Sequence, residues 1–421
     1  MPGSSVLVGK KYALIGGTII FLVVALTLHV ELMFYMCVAM AVLPAVSWAF
    51  GRRTVRHLDL RVAPDQQGAV SAGQRVELRV RLQNTDRLQK TLFTATLDLP
   101  RDAFSFTGEP ERLVPGLAPG ETYGLSYELV PRRRGVYPLG AFELRAPDPI
   151  GLYESERHIT VPGQLIVYPT PVPLPPIRPR GAGVATTAPR RRNRGQGIDI
   201  YGLREYVPGD DLRRVHWKNS ARRGKLTVVE YEAAEAHDLA VVLDLTPSAH
   251  AGSGDESTLE YGVTLAASAA VQALSRGAGA SLIAVGATDR SVLAQDALAD
   301  RTTVLEALAW VQADGPESFA AVLADHAGWL PPGCGVVVIS PAVGPEAIEV
   351  ARRLRVLDHG VVWVCLLAHT FGRGAMGGAA PEEGDYAELA ANLAALGCTV
   401  RYIRSGEPLA AQMGVRIVER V

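Results

Sequence analysis

The chain of 421 residues is poor in cysteine, with only Cys37, Cys334, Cys365 and Cys398. No two of them stand at the CxxC spacing that zinc sites use, and three lie within apolar runs. This distribution argues against a disulfide framework and against a zinc site, and it fits a reducing compartment.

An excess of charge of one sign is also missing, because the formal net charge at pH 7 is −1. The chain as a whole therefore has no general attraction to nucleic acid. Positive charge is concentrated locally, and residues 190–225 carry a net +7. The arginine cluster at 190–194 contains no aromatic side chain on which bases would stack. We therefore expect no nucleic-acid partner, and a steeply salt-dependent DNA affinity would contradict this expectation.

Common catalytic motifs are absent from the sequence, which has no Walker A loop, no HExxH and no GxSxG. Residues 372–377 match GxGxxG, but the helix predicted next begins only after Pro381. A phosphate would then not meet a helix N-terminus, so this segment is predicted to be a loop. The sequence predicts no catalytic residue.

Long apolar runs occur at the start of the chain, over residues 12–30 and 32–50. Each run would be about 28 Å long as a helix, close to the hydrocarbon thickness of a bilayer. Lysines precede the first run and arginines follow the second, so both ends are predicted to be cytoplasmic. Residues 1–56 are thus predicted to form a two-helix transmembrane hairpin. A cleaved signal peptide fits less well, because a second apolar run follows at once.

Alternation of polar and apolar residues is the main pattern of residues 57–168. Residues 75–82 and 123–129 alternate at the period of a half-buried strand, with Pro-Gly turns at Pro115 and Pro119. This pattern predicts an Ig-like β-sandwich. Residues 169–200 are rich in proline and arginine and are predicted to be a stiff linker.

Strand and helix patterns alternate through the last part, residues 201–421. Residues 239–244 form an apolar run that ends in an acid, and further strands are predicted at 281–285, 335–339, 361–367 and 399–403. Helical segments separate or follow them, for example 256–276, 298–312, 318–330, 346–357, 386–396 and 408–419. This alternation predicts an α/β domain with a parallel sheet covered on both faces.

The end of the first of these strands carries Asp244, Thr246 and Ser248. An acid and two hydroxyls at alternating positions offer oxygen ligands to Mg²⁺, at the strand ends where such sheets bind ligands. Thr302 or Thr303 would add a further oxygen, whereas Ser340 stands where another acid would be expected. Serine and threonine also simply cap helices, so magnesium is a candidate cofactor only.

A dense charged block occupies residues 203–226. Pro208 and Gly209 predict a turn, Asp210 an N-cap, residues 211–222 a helix and Gly224 its C-terminal stop. Carboxylates among so many arginines would stay ionised, which does not suit proton transfer.

Two interpretations of this block remain open, a solvated surface helix and a polar network that contacts a neighbouring domain or a partner. We predict the second. The residues assigned to this partner or interdomain surface are Arg204, Glu205, Asp210, Asp211, Arg213, Arg214, Trp217, Lys218, Arg222 and Arg223.

The charged block, the following Val228-Val229-Glu230 and the Asp-x-Thr-x-Ser strand end resemble a bacterial family called domain of unknown function 58. The resemblance is specific over about residues 195–250. Segments 133–137 and 148–153 also resemble the upstream part of that family. The resemblance implies a von Willebrand factor A-like α/β domain, a fold with a metal-dependent adhesion site in some relatives.

Members of this family are typically encoded beside MoxR-type AAA+ ATPases and transglutaminase-like membrane proteins, so the resemblance implies these partners besides the lipid bilayer. We expect a multi-pass protein of the bacterial inner (plasma) membrane with cytoplasmic N- and C-termini. Its expected function is that of an interaction or adaptor protein, accessory to the ATPase in protein assembly or maturation. The alternatives are a metal-dependent hydrolase using Asp244 and a purely structural membrane scaffold.

Overall fold

The computed structural model describes residues 3–28, 31–62, 69–177, 179, 200–206, 215–231, 238–293, 297–315, 318–331, 333–372 and 381–414. The chain divides into two compact units. The first comprises Met1–Thr170 with Leu308–Trp310, and the second comprises Pro171–Ala307 with Val311–Val421.

Two helices open the first unit, α1 (Gly3–Leu28) and α2 (Glu31–Thr54). They pack on each other, with the sulfur of Cys37 3.9 Å from the carbonyl oxygen of Thr18. Within the described residues, α2 is the one helix long and apolar enough to cross a membrane, and most of its side chains are exposed. A membrane-crossing helix near the N-terminus is thus supported by length and composition, and the second span stays a prediction.

A region rich in β-strands follows α2. Its strands are β1 (Leu58–Val62), β2 (Ala69–Ser71), β3 (Val76–Asn84), β4 (Phe93–Asp98), β5 (Phe104–Phe106), β6 (Glu111–Val114), β7 (Thr122–Pro131), β8 (Gly135–Pro138), β9 (Ala141–Pro147), β10 (Glu154–Thr160) and β11 (Gln164–Tyr168).

The strands pair into two four-stranded antiparallel sheets, ordered β1-β3-β7-β5 and β10-β9-β4-β6. A smaller sheet, β2-β11-β8, contains one parallel pair, β2 with β11. Alternation makes the longer strands two-faced: in β3 the residues from Leu78 to Asn84 alternate buried and exposed. Phe93, Tyr127 and Phe142, from both larger sheets, share one core. The predicted β-rich region is confirmed.

The C-terminal end of α2 is closed by a lysine from the β-region. Lys90 Nζ donates to the carbonyl oxygens of Arg53 (2.7 Å) and Arg56 (2.8 Å) and to Asp86 Oδ2 (3.0 Å). Its side chain is only 1% exposed. The last carbonyls of a helix have no partner within the helix, and a cation there also suits the helix dipole. Hydrogen bonds from Arg53 and Lys90 hold the pKa of Asp86 well below its usual range.

From residue 200 onward, the described part of the second unit starts with a β-hairpin that includes a short helix. Strands β12 (Ile200–Glu205) and β13 (Thr227–Tyr231) pair antiparallel, and α3 (Trp217–Arg223) precedes β13. The helix ends at Gly224, whose φ of +68° is the left-handed conformation that glycine adopts readily. The predicted stop is confirmed.

The start of that helix corrects the sequence prediction of a helix over 211–222. Val215 pairs with Val228 in a β-bridge, and His216 caps the helix by accepting the backbone N–H of Asn219. The helix therefore begins at Trp217, because strand pairing of Val215 competes with helix formation. Residues 207–214, including the predicted N-cap Asp210, lie outside the described residues.

The rest of the second unit alternates strands and helices. They are β14 (Leu239–Leu243), β15 (Gly252–Ser253), β16 (Glu256–Ser257), α4 (Thr258–Ser275), β17 (Ala280–Ile283), α5 (Ala297–Trp310), α6 (Phe319–His326), β18 (Gly335–Ser340), α7 (Pro345–Val356), β19 (Gly360–Leu366), α8 (Glu383–Ala395), β20 (Thr399–Ile403) and α9 (Leu409–Gly414).

Five of these strands form one parallel sheet in the order β17-β14-β18-β19-β20. Every residue of β14, β18 and β19 is buried, as expected of strands covered on both faces. Ala240 and Val242 face a core shared with α6, α7 and α8. Gly262 of α4 lies against Leu243 from the other side. The predicted parallel sheet is confirmed. Most of the predicted linker (178 and 180–199) and the end of the last predicted helix (415–421) lie outside the described residues.

Replacing Lys90 by methionine is expected to destabilise the first unit by about 3–5 kcal/mol, because two helix-end carbonyls and a buried carboxylate lose a charged donor. Thermal unfolding of the detergent-solubilised chain measures the effect. The control is Arg87→Met on an exposed neighbour, expected to stay within about 0.5 kcal/mol of wild type. Equal effects of the two variants would contradict the capping role of Lys90.

Candidate functional site

Asp244 follows β14 at the point where the order of the strands reverses. The chain passes from β14 to β17 on one side and then to β18 on the other, so the carboxyl ends of β14 and β18 form a topological switch point. Asp244 and Ser340 lie at this switch point, one from each strand end. Sheets of this kind bind ligands at such a position.

The carboxylate of Asp244 is fully buried, with 0% exposure, and both of its oxygens accept hydrogen bonds. The Ser340 hydroxyl donates to Oδ2 at 2.6 Å, and the backbone N–H of Thr246 donates to Oδ1 at 3.0 Å. Ser340 Oγ in turn accepts the N–H of Ala342 at 3.0 Å. A buried carboxylate costs free energy unless it is hydrogen-bonded, so this network stabilises the strand end.

His250 ties the same strand end to helix α4. Its Nε2 lies 2.8 Å from the carbonyl oxygen of Asp244, and its Nδ1 lies 3.0 Å from the hydroxyl of Thr258 at the start of α4. A carbonyl only accepts, so Nε2 carries the proton and donates. Burial lowers the pKa of His250, which keeps the ring neutral. The neutral ring is thus a fixed link within the site.

This geometry gives little support to the predicted magnesium site. Thr246 is half-buried, and Ser248 is exposed on the short 3₁₀ turn Pro247–Ala249. Thr302 and Thr303 lie exposed in the second turn of α5. Among the residues that the structure describes, no three histidine, cysteine, aspartate or glutamate side chains are grouped to hold a metal ion. The arrangement does not fit a site built from several carboxylates, and magnesium binding stays a prediction.

A second polar cluster occupies the same edge of the sheet. Glu256 Oε2 accepts the hydroxyls of Tyr261 (3.0 Å) and Ser405 (2.6 Å). The Tyr261 hydroxyl also accepts the N–H of Gly406 at 3.1 Å, and its ring packs edge-on against Phe371. These contacts join the start of α4 to the segments that follow β19 and β20. The carboxyl edge is therefore tied together across most of its width.

The helix α3 is fixed to β13 by backbone and hydroxyl hydrogen bonds. Ser220 Oγ accepts the N–H of Thr227 at 2.8 Å and donates to the carbonyl of His216 at 3.1 Å. The N–H of His216 donates to the carbonyl of Thr227 at 2.8 Å. This helix is short, and the strand beside it rather than its own length fixes its position.

Three residues of the predicted partner surface are exposed on α3. Trp217 is 65% exposed, and Lys218 and Arg222 are exposed one turn apart. Arg204 and Glu205 lie on β12, in register with Val228 and Thr227 of β13. The structure thus places five of the predicted residues in one hairpin unit.

The remaining residues of that predicted surface are placed by their backbone alone, as Arg204 and Glu205 are, or not at all. Arg223 ends α3, and its side chain is not among the described ones. Asp210, Asp211, Arg213 and Arg214 lie outside the described residues. Their assignment to the surface stays a prediction.

Two site residues were missed by the sequence analysis, His250 and Asp314. Asp314 accepts the N–H of Ala287 at 3.0 Å, and the next N–H, of Gly315, donates to the carbonyl of Leu245 at 3.0 Å. Asp314 therefore lies in a loop fastened beside the end of β14. A histidine six residues after the strand-end acid was the available signal for His250. Asp314 has no comparable signal, because its position depends on loop contacts with Ala287 and Leu245 that lie far away in the sequence.

Comparison with known proteins supports the family resemblance in the region of this site. A family model described as "Protein of unknown function DUF58" matches residues 202–362. The match extends beyond the segment 195–250 on which the resemblance was specific. The uncharacterized protein YeaD of Bacillus subtilis (strain 168) is 28% identical over 165 residues. That alignment spans 38% of this chain and 39% of the length of YeaD.

Solved structures show weak similarity. The conserved hypothetical protein BatB from Bacteroides thetaiotaomicron is 14% identical with a TM-score of 0.31, covering 42% of this chain and 93% of that one. The PapD-like domain 7 of human CEP192 is 12% identical with a TM-score of 0.19, covering 28% and 89%. Neither similarity bears on function.

Ser340→Ala is expected to destabilise the second unit by about 1.5–3 kcal/mol, because one oxygen of the buried Asp244 carboxylate loses its donor. Chemical unfolding of the full chain in detergent measures the change. Ser275→Ala is the matched control, since its exposed hydroxyl bonds only the local carbonyl of Gln272, and about 0.5 kcal/mol or less is expected. A neutral Ser340→Ala would show that the network contributes nothing to stability.

Stability of the second unit is expected to fall as the pH drops below about 6.5. Burial lowers the pKa of His250 and of His359, so the unfolded state binds more protons than the folded state in that range. Each such group adds a slope of about 1.4 kcal/mol per pH unit to the free energy of unfolding, until its folded pKa is reached.

The variant His250→Asn should reduce this slope, whereas His158→Asn, at an exposed histidine, should not. Unfolding midpoints between pH 5 and 8 test this, and an unchanged slope in His250→Asn would contradict it.

Proposed function

We propose that the chain is a membrane-anchored interaction protein that docks a partner on the outer face of α3. The observation that carries this proposal is the exposure of Trp217, Lys218 and Arg222 on a short helix held firmly to its strand. Tryptophan and arginine are the side chains most enriched among interface residues that dominate binding free energy. A fixed helix also loses little conformational freedom on binding.

The state of Asp244 supports binding rather than catalysis. Its carboxylate is fully buried and accepts from Ser340 and Thr246, so it is not open to a substrate in the described arrangement. A general base needs a lone pair within reach of the proton that it takes. We propose that the parallel sheet with Asp244 at its strand end belongs to a von Willebrand factor A-like domain, and that the two larger sheets of the first unit form an Ig-like sandwich.

The proposed anchor consists of α1 and α2 crossing the inner membrane as a hairpin. Basic residues at both outer ends support cytoplasmic N- and C-termini, because arginine and lysine are retained on that side. The docking helix would then face the cytoplasm. A MoxR-type AAA+ ATPase is the proposed partner, with a transglutaminase-like membrane protein as a further member of the assembly. Both partners are proposed on the family resemblance.

Binding to the MoxR-type ATPase of the same organism tests this proposal directly. The detergent-solubilised chain is immobilised, and the affinity of the purified ATPase is measured for wild type, Trp217→Ala and Lys218→Ala/Arg222→Ala. We expect Trp217→Ala to weaken binding at least about tenfold, the effect of removing a central interface tryptophan. The double variant should weaken it less and mainly at low salt.

The control is Trp329→Ala, which removes another exposed tryptophan of the same unit. It should leave the affinity unchanged. Equal losses in both tryptophan variants would show a non-specific effect. No measurable binding by wild type would exclude the ATPase as partner and favour the scaffold or hydrolase alternatives.

A further inference from the structure

The turn between β9 and β10 lies against the last turns of helix α2. Ser47 of α2 donates its hydroxyl to Asp148 Oδ2 and accepts the backbone N–H of Ile150 at 3.3 Å. These contacts join residues about a hundred positions apart in the chain. The turn is therefore fixed to a defined level of the helix.

Close backbone approach strengthens this contact one turn further along. A Cβ on Gly51 would lie 3.3 Å from both Cα and Cβ of Asp148 and 3.4 Å from Ser155 Oγ. Pro44, Ser47, Gly51 and Thr54 are the buried residues of this half of α2. Their spacing of three and four places them on one face of the helix, the face that the protein covers.

The position of Ser47 defines how far the turn reaches along the helix. Thr54, the last residue of α2, is seven positions after Ser47, which is about 10 Å at the rise of an α-helix. At the same level Val46, Trp48 and Phe50 are large apolar side chains exposed on the other faces. The turn thus runs beside a part of α2 that the sequence assigns to the bilayer.

The carboxylate of Asp148 is adapted to such a position. It accepts the Ser47 hydroxyl and the backbone N–H groups of Leu152 (2.6 Å) and Tyr153 (2.8 Å). Burial alone would raise the pKa of Asp148, but these hydrogen bonds outweigh it and hold the pKa below its usual value. These hydrogen bonds offset part of the free-energy cost of holding the carboxylate away from water.

The side chain of Ile150 at the tip of the turn is 46% exposed, although its backbone is held by Ser47. Around the end of α2 stand the exposed cations Arg52, Arg53 and Arg56, with the guanidinium of Arg52 5.2 Å from the Trp48 ring centre. Tryptophan and arginine at a helix end are typical of the headgroup region, where arginine attracts anionic lipids. The surroundings of Ile150 therefore match a lipid boundary.

We infer that residues 148–151 form a wedge that enters a phospholipid bilayer beside α2, with the Ile150 side chain among the upper acyl segments. This inference rests on the proposed membrane anchoring by α2. The wedge would extend the contact with the bilayer from the helix to the β-region. It fixes which side of the β-region faces the lipid.

Fluorescence quenching in vesicles tests this inference on the full chain. An environment-sensitive dye is attached to Ile150→Cys, Val42→Cys or Arg101→Cys, and each protein is reconstituted into phosphatidylcholine–phosphatidylglycerol vesicles. Val42 is an exposed residue in the middle of α2. Arg101 is an exposed residue that follows β4, and this strand begins three residues after Lys90, the residue that contacts the end of α2.

The native cysteines are buried, and burial raises the pKa of Cys334 to about 12 and of Cys398 to about 11. They should react slowly, and unsubstituted protein measures this background.

We expect the Ile150 dye to be quenched by lipids with a nitroxide near the headgroup more than by lipids with a deep nitroxide. The Val42 dye should show the opposite order, and the Arg101 dye should be quenched by aqueous iodide only. A lipid-exposed Val42 dye with an iodide-quenched Ile150 dye would overturn the wedge and leave the anchor intact. An Ile150 dye shielded from both quenchers would overturn it in favour of a protein occupant. A Val42 dye outside the lipid would remove the anchor and the wedge together.

Releasing the turn from α2 gives an independent readout. Gly51→Val in the Ile150→Cys background should push the turn away and increase iodide quenching of the dye. Gly16→Val is the matched control, since a Cβ on that helical glycine has no neighbour within 4 Å. Unchanged lipid quenching in Gly51→Val would contradict the role of the contact with α2.

Discussion

The cost of removing a charge from water is the constraint on which this structure most depends. Asp244, Lys90 and Asp148 are all buried, and each has an ionisable side chain. In every case backbone groups at the end of a helix, strand or turn supply partners. A helix end or a strand end has backbone groups without internal partners, so a buried charge and an element terminus satisfy each other. The junctions of this chain are therefore built from polar contacts, and its cores from apolar ones.

Much of the fold could be predicted because its signals are local. The apolar run at 239–244 ends in an acid, and β14 with Asp244 is found there. Gly224 stops α3, since a glycine after a helix is a local preference that tertiary contacts rarely override. The start of α3 was not predictable in the same way. Val215 pairs with Val228 across the hairpin, and no helix-capping rule takes account of such a partner.

The candidate site shows the same division. Ser340 was recognised as a departure from an acidic ligand, and the structure brings its hydroxyl to the carboxylate of Asp244. His250 and Asp314 were missed, because their roles depend on which loops the parallel sheet brings to one edge. The hydrogen bonds of Lys90 and Asp148 to the end of α2 and to Ser47 span long stretches of sequence. Composition and periodicity carry no information about contacts of that kind.

The contacts of α2 with the β-region also change what counts as a structural boundary. The sequence suggests a border near residue 57, where the apolar run has ended and the strands begin. However, Lys90 donates to the carbonyl of Arg53 in the last turn of α2, and Asp148 accepts the hydroxyl of Ser47. A chain shortened to begin at residue 57 would leave Lys90 and Asp148 buried without the hydrogen-bond partners that α2 supplies. The β-region and the final two turns of the helix thus belong to one compact unit, and a rotation of α2 would turn the β-region that these contacts hold to it.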